Sequence, residues 1–306
     1  SMNESNKLIT PKYKQFLGTI LVLLSALGFG TSGTIQAIAP VGATPYVIVA
    51  GRATAGAILL LTWCIVRKRF PKDFFSIPFK NVLIASGFLG ANTLSFFLGV
   101  SQIGVAAGTI IAVGSVPIWT AVLSFFVHKK RPINAWYFAT FLAILGIGFI
   151  NGWAPLPEGK TPYLILLLFN GFFYSSYITV MPSILKTTNA EFATMIIFCV
   201  MAILLSPLFY LYDTQWIFAS VQGITVILAL GLVTAGLAYT FLNAGLRYTT
   251  PVIAATLGLA EPMIAALLGI FFLHEPVTEQ TVLGIILIFA SLVLLIYANQ
   301  KHELSK

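Results

Sequence analysis

The chain has 306 residues, of which 58% are apolar and only 8% charged, with 17 Lys and Arg against 9 Asp and Glu for a net charge of +8. A soluble fold needs roughly a quarter charged residues to meet water, so most of this surface faces another medium, and a lipid bilayer fits. The basic excess would point to nucleic acid if it formed a patch on a soluble fold. Its placement follows membrane orientation instead, and no nucleic-acid partner is expected.

Apolar runs punctuated by Gly, Pro, Asn or charge predict ten transmembrane helices at 16–39, 44–67, 81–103, 106–128, 134–152, 162–182, 190–212, 222–245, 250–273 and 278–298. Ser1-Met2 reads as an expression scar and is set aside. Lys7, Lys12 and Lys14 ahead of an apolar run ending in Ala37-Ile38-Ala39 resemble a secretory signal. The run is longer than such signals use and holds Ser25, Thr31, Ser32 and Gln36, so it is read as the first helix. Cys64 and Cys199 lie inside apolar runs at no metal or redox spacing and read as buried small residues.

Basic residues orient these spans. The side of the N-terminus carries Lys7, Lys12, Lys14, Arg67, Lys68, Arg69, Lys72, Lys80, Lys129, Lys130, Arg131, Lys186, Arg247, Lys301 and Lys306, while the opposite side carries Lys160 alone. Both termini are therefore expected in the cytoplasm.

Two stretches repeat. Gly99-Val-Ser-Gln-Ile-Gly-Val-Ala-Ala-Gly-Thr runs through Ser115-Val116-Pro117 to His128 and Pro132, and Gly245-Leu-Arg-Tyr-Thr-Thr-Pro-Val-Ile-Ala-Ala-Thr runs through Glu261-Pro262 to His274 and Pro276. Matching the fourth and fifth helices to the ninth and tenth gives a five-helix unit, 16–152 and 162–298. An odd unit reverses orientation on copying, so the halves are expected to be inverted, with a site between them near the midplane. Chance likeness of two Gly/Ala-rich helices is the competing explanation.

The same segments carry a family resemblance. Gly30-Thr-Ser-Gly-Thr leading to Ala39-Pro40-Val-Gly-Ala-Thr-Pro45, then Arg52, Val105-Ala-Ala-Gly-Thr through Gly114-Ser-Val-Pro117, and Leu259-Ala-Glu-Pro262 followed by Leu273-His-Glu275 resemble the EamA family of the drug/metabolite transporter superfamily. The resemblance implies an all-α membrane fold of ten helices in two inverted repeats and secondary transport of amino acids, related metabolites or amphiphilic compounds. The chain departs from the family pattern at His128-Lys129-Lys130, where the fourth helix often ends in Gly-Glu.

Arg52 and Glu261 fall near the middle of their spans, roughly 12 Å and 16 Å from the nearer counted end at 1.5 Å per residue. An ionisable group at that depth is costly unless paired or facing a polar cavity, and so is a functional candidate. Glu261 is read as a proton-coupling acid or amine site, or else as a packing carboxylate beside Pro262. Arg52 is read as a clamp for a substrate carboxylate, or as a structural tie, for instance an ion pair with Glu261.

Polar and aromatic residues at three- or four-residue spacing share helix faces. They are Ser25, Ser32 and Gln36; Asn92 and Phe96; Ser115 and Trp119; Asn170, Tyr174 and Tyr177; and Tyr239 and Asn243. Of these, Ser32, Gln36, Asn92, Phe96, Trp119, Tyr174, Tyr177, Tyr239 and Asn243 are the expected substrate-binding set, with aromatic faces available to a cation. Interhelical packing is the plainer use of any one of them. His128, His274 and His302 lie at loops or the terminus, and no phosphate loop, nucleophile triad or CxxC appears, so no cofactor, metal or catalytic residue is expected. The expected function is export of a small polar metabolite across the bacterial cytoplasmic membrane by alternating access, driven by a proton or substrate gradient, by a monomer or homodimer. Uptake of a small amine or nucleoside-like solute, a passive channel and a lipid-modifying enzyme are the alternatives.

Overall fold

The computed structural model describes residues 11–103, 105–153, 158–272, 274 and 276–304. Lys7, Lys306, Ser1-Met2, and Gly104, Leu273 and Glu275 of the motifs lie outside the described residues. Among the described residues nine helices are long and apolar enough to cross a bilayer, and a tenth apolar helix, Asn134–Ile150, is shorter. That tenth element, of 18 residues as Asn134–Asn151, is roughly 27 Å long at 1.5 Å per residue, close to the bilayer core.

The spans are α1 (Pro11–Gly30) continued by α2 (Ser32–Ala37), α3 (Pro45–Val66), α4 (Phe79–Ile103), α5 (Val105–His128), α6 (Asn134–Asn151), α7 (Thr161–Leu185) and α8 (Ala190–Leu205) continued by α9 (Leu208–Leu211). A short α10 (Gln215–Ala219) follows where the sequence predicts only a connection. The eighth span is α11 (Val221–Ala229), a π-helical stretch (Leu230–Leu237) and α12 (Ala238–Leu246). The ninth is α13 (Pro251–Leu257) and α14 (Ala260–Phe271), and the tenth is α15 (Glu279–Leu304).

Local chemistry sets these ends. Thr44 and Thr250 each cap a helix that begins with proline, accepting from the amides of Val47 at 3.4 Å and Ile253 at 3.3 Å; proline's missing N–H costs nothing there. At the break between α1 and α2, the Thr31 hydroxyl donates to the Gly28 carbonyl at 2.7 Å, giving that carbonyl a side-chain partner where the helical ladder is interrupted.

The two halves pack as inverted copies. Each strong contact between halves has its mate: α4 on α7 matches α12 on α1, α5 on α7 matches α14 on α1, and α6 on α15 and α3 on α8 map onto themselves. Pro117 and Pro262 are 145 positions apart, and so are Lys129 and His274, which close α5 and α14 in the same left-handed conformation (φ 55 and 53).

Small residues let helices approach where lipid supplies no hydrophobic drive. A Cβ on Gly146 of α6 would stand 2.7 Å from the Gly284 carbonyl of α15, and one on Gly284 would stand 2.6 Å from the Gly146 carbonyl. Gly146→Leu is therefore expected to cost about 1–3 kcal/mol through overpacking. Thermal unfolding in detergent measures it, with Gly87→Ala as control, because nothing lies within 4 Å of a Cβ at Gly87. Equal midpoints for the two variants would mean that the crossing has no such constraint. Outward-facing Phe138, Phe141, Ile286 and Phe289 are exposed on the same two helices, a face suited to lipid.

Candidate functional site

The packing of the halves leaves a cavity of about 850 Å³ between them. Its walls come from α1, α2, α3, α4, α5 and α6 of the first half and from α7, the eighth span, α13, α14 and α15 of the second. Its mouth is marked by Gln36, Ile150, Ile270, Pro276 and Thr281, which by span order share one face of the membrane, opposite the basic loops.

Two charged side chains line it. Arg52 is only 8% exposed, and it donates from Nε to the Thr234 hydroxyl at 2.8 Å and from Nη2 to the Thr234 carbonyl at 2.9 Å. Thr234 lies within the π-helical stretch, where widened backbone pairing leaves its carbonyl for a side-chain donor. Close approach brings the two together: a Cβ on Gly231 would stand 2.6 Å from the Ala55 Cβ. The guanidinium carbon also sits 5.8 Å from the Tyr239 ring centroid, within cation–π range.

Glu261 is partly exposed to the cavity and accepts no hydrogen bond from any described residue. It and Arg52 share the cavity and interact through space, yet the ion pair allowed by sequence is not closed: among the described residues the salt bridge within 4.0 Å is Arg69–Glu191. The sequence could not reveal Thr234 as the partner, because π-helical register has no spacing signal here.

Eight of the eleven residues predicted for the site line this cavity: Ser32, Gln36, Arg52, Asn92, Phe96, Tyr174, Tyr239 and Glu261. Asn92 and Asn170 exchange amide bonds across α4 and α7, from Asn92 Nδ2 to the Asn170 carbonyl at 3.2 Å and from Asn170 Nδ2 to the Asn92 carbonyl at 2.5 Å. Phe29 and Tyr239 meet edge to face at 4.7 Å on the wall. Phe29 was not among the predicted residues, although it shares the stripe of Ser25, Ser32 and Gln36 by its four- and three-residue spacing.

Trp119, Tyr177 and Asn243 are not on the wall. Trp119 turns to α7, donating Nε1 to the Leu168 carbonyl at 3.0 Å and meeting the Phe172 ring edge to face. Tyr177 and Asn243 are fully buried on the side of the basic loops. The Tyr177 hydroxyl donates to Asn243 Oδ1 at 3.0 Å, and Asn243 Nδ2 donates to the Thr194 hydroxyl at 2.9 Å. Nearer that face, Arg247 Nη2 donates to the Leu185 carbonyl at 2.9 Å and to the Thr188 carbonyl. These bonds join α7, α8 and α12, so the cavity is open to one face and sealed toward the other.

A model for the EamA-like transporter family matches residues 16–152 and 161–297. The chain is similar to an uncharacterized transporter, YwfM, of Bacillus subtilis (strain 168), with 33% identity over 287 residues covering 93% of this chain and 95% of the relative. A solved structure titled "Crystal structure of protein" superposes with a TM-score of 0.80 over 90% of this chain and 97% of that one, at 15% identity, a likeness of fold alone. The family and the relative are transporters, not enzymes, and both point to a bacterial cytoplasmic membrane. With nearly its whole length covered by two copies of the family model, this multi-pass membrane protein belongs to the EamA-like transporter family of the drug/metabolite transporter superfamily.

Proposed function

We propose that the protein is a secondary carrier that exports a small polar metabolite, an amino acid or related compound, across the bacterial cytoplasmic membrane by alternating access. The observation that carries this reading is the cavity of about 850 Å³ between the halves, open to one face and sealed toward the other. Its size lies within the range of small-molecule sites. The Glu261 carboxylate, the Arg52 guanidinium and the rings of Phe29, Phe96, Tyr174 and Tyr239 supply the mixed chemistry a zwitterion uses. The basic loops support cytoplasmic termini, which puts the open mouth outside and the seal inside. Export follows the family resemblance, with a proton or substrate gradient as the driving force. Uptake of a small amine is the second reading, favoured by the Glu261 carboxylate, which lines the cavity and accepts no hydrogen bond from a described residue.

Counterflow in proteoliposomes tests the carrier. Liposomes loaded with an unlabelled amino-acid mixture should accumulate the matching labelled compound, and the initial rate should saturate. Flux rising linearly with concentration, with no trans-stimulation, would replace the carrier by a channel.

A further inference from the structure

The loop between α3 and α4 is a folded platform. Phe70 and Phe74 stack edge to face on the buried Phe192 of α8, at 5.2 Å and 6.1 Å between centroids, and Phe74 leans on Phe79 at 5.3 Å. Ile77, 2% exposed, plugs the segment into the core. Asn189 Nδ2 donates to the Arg69 carbonyl at 2.8 Å, and Arg69 pairs with Glu191 at 3.3 Å, so the first end of the platform is fixed to the start of α8 at two points.

Two features of this platform go unused by the fold. Phe75 is 90% exposed, its ring meeting Phe74 edge to face at 6.2 Å. The same short segment carries Arg67, Lys68, Lys72 and Lys80, all exposed; Arg67 lies over the Trp63 ring, and none of the three lysines makes an ion pair with a described residue. Asp73 is the lone acid between Arg67 and Lys80. Connecting two membrane spans, the platform sits at the boundary where apolar side chains meet headgroups. There an exposed ring gains by entering the acyl region while the ammonium groups stay at phosphate level.

We propose that the Arg67–Lys80 platform is a binding site for an anionic phospholipid of the facing leaflet, its phosphate held by Lys68, Lys72 and Lys80 and its chains packed on Phe75. The charge on the protein, the ring beside it and its position at the membrane edge match a lipid better than a soluble phosphate, which would use the lysines and leave Phe75 in water. Because the platform is tied to Glu191, the lipid would also brace the α3–α8 contact between the halves.

Native mass spectrometry of the full chain, released from nanodiscs of equal phosphatidylglycerol and phosphatidylcholine, tests this. The wild type should retain phosphatidylglycerol over phosphatidylcholine. Lys68→Gln/Lys72→Gln/Lys80→Gln should lower that ratio at least about tenfold, in line with the per-lysine attraction of an anionic leaflet, and Phe75→Ser about threefold. Lys129→Gln/Lys130→Gln on the other basic loop should leave it unchanged. An equal loss on that second loop would reduce the effect to general surface charge and overturn the site. Stripping of the retained lipid by millimolar inorganic phosphate would replace the lipid with a free anion. If the triple variant fails to fold, the wild type and Phe75→Ser still decide, since a wild type without preference for phosphatidylglycerol overturns the proposal.

Discussion

Glu261→Gln is expected to lower the initial rate of counterflow by about 100-fold or more while leaving the thermal midpoint of the protein nearly unchanged. The expectation rests on how the carboxylate is placed. It lines the cavity near the middle of the membrane, beside Pro262, and accepts no hydrogen bond from a described residue, so the helix does not depend on it. A packing role would appear as lost stability. A role in binding or proton coupling removes a charge-assisted contact instead, and 100-fold in rate corresponds to about 2.7 kcal/mol, within the range for a hydrogen bond to a charged group. Glutamine preserves size and shape, which isolates the charge. If the variant transports at the wild-type rate, Glu261 is neither the coupling acid nor the amine site.

Arg52→Lys is expected to act through the opposite channel, lowering both stability and transport. Arginine grips Thr234 at two points, the hydroxyl at 2.8 Å and the carbonyl at 2.9 Å. An ammonium is a point donor without that fork, so one of two charge-assisted bonds is lost at about 1.5–3 kcal/mol. By the scaling of unfolding entropy with chain length in soluble domains, the melting midpoint should fall by about 2–5 °C, measured by thermal unfolding in detergent. Counterflow should fall with it, because the π-helical stretch that Arg52 holds carries Leu230 on the cavity wall and leads to Tyr239. A variant that melts with the wild type would show that the grip adds nothing to the fold.

Much of this architecture was legible in the sequence because hydrocarbon solvent leaves little choice. A segment of about 20 apolar residues must satisfy its backbone internally, so hydropathy locates spans with few alternatives. The repeat was legible through prolines and glycines, which mark geometry rather than surface. The breaks were less so. The interruption at Thr31 and the π-helical stretch at Leu230–Leu237 have no spacing signal, whereas the division at Gly258 between α13 and α14 lies four residues before Pro262, which lacks the amide that would bond the Gly258 carbonyl. Face periodicity found Ser32, Gln36, Asn92, Phe96, Tyr174 and Tyr239 on the wall, since a common stripe on a common cavity is a local property. It misplaced Tyr177 and Asn243, which share those stripes but lie deeper, where the helices have closed over them. Depth along a helix is set by the helices it meets.

That closed side has a consequence for the transport cycle. Tyr177, Asn243 and Thr194 stand 145 positions after Ser32, Leu98 and Val49, so closing the open side by the mirrored motion would bring together a hydroxyl and two apolar side chains. These cannot rebuild the Tyr–Asn–Thr chain of hydrogen bonds. In the proposed carrier cycle, two such bonds at about 1 kcal/mol each would favour the conformer whose mouth is on one face when no substrate is bound. On that proposal, reversal would be driven by a ligand or proton that binds the other conformer more tightly. The five-helix repeat would supply the symmetry for such alternation, and the three side chains that break it would set the resting position.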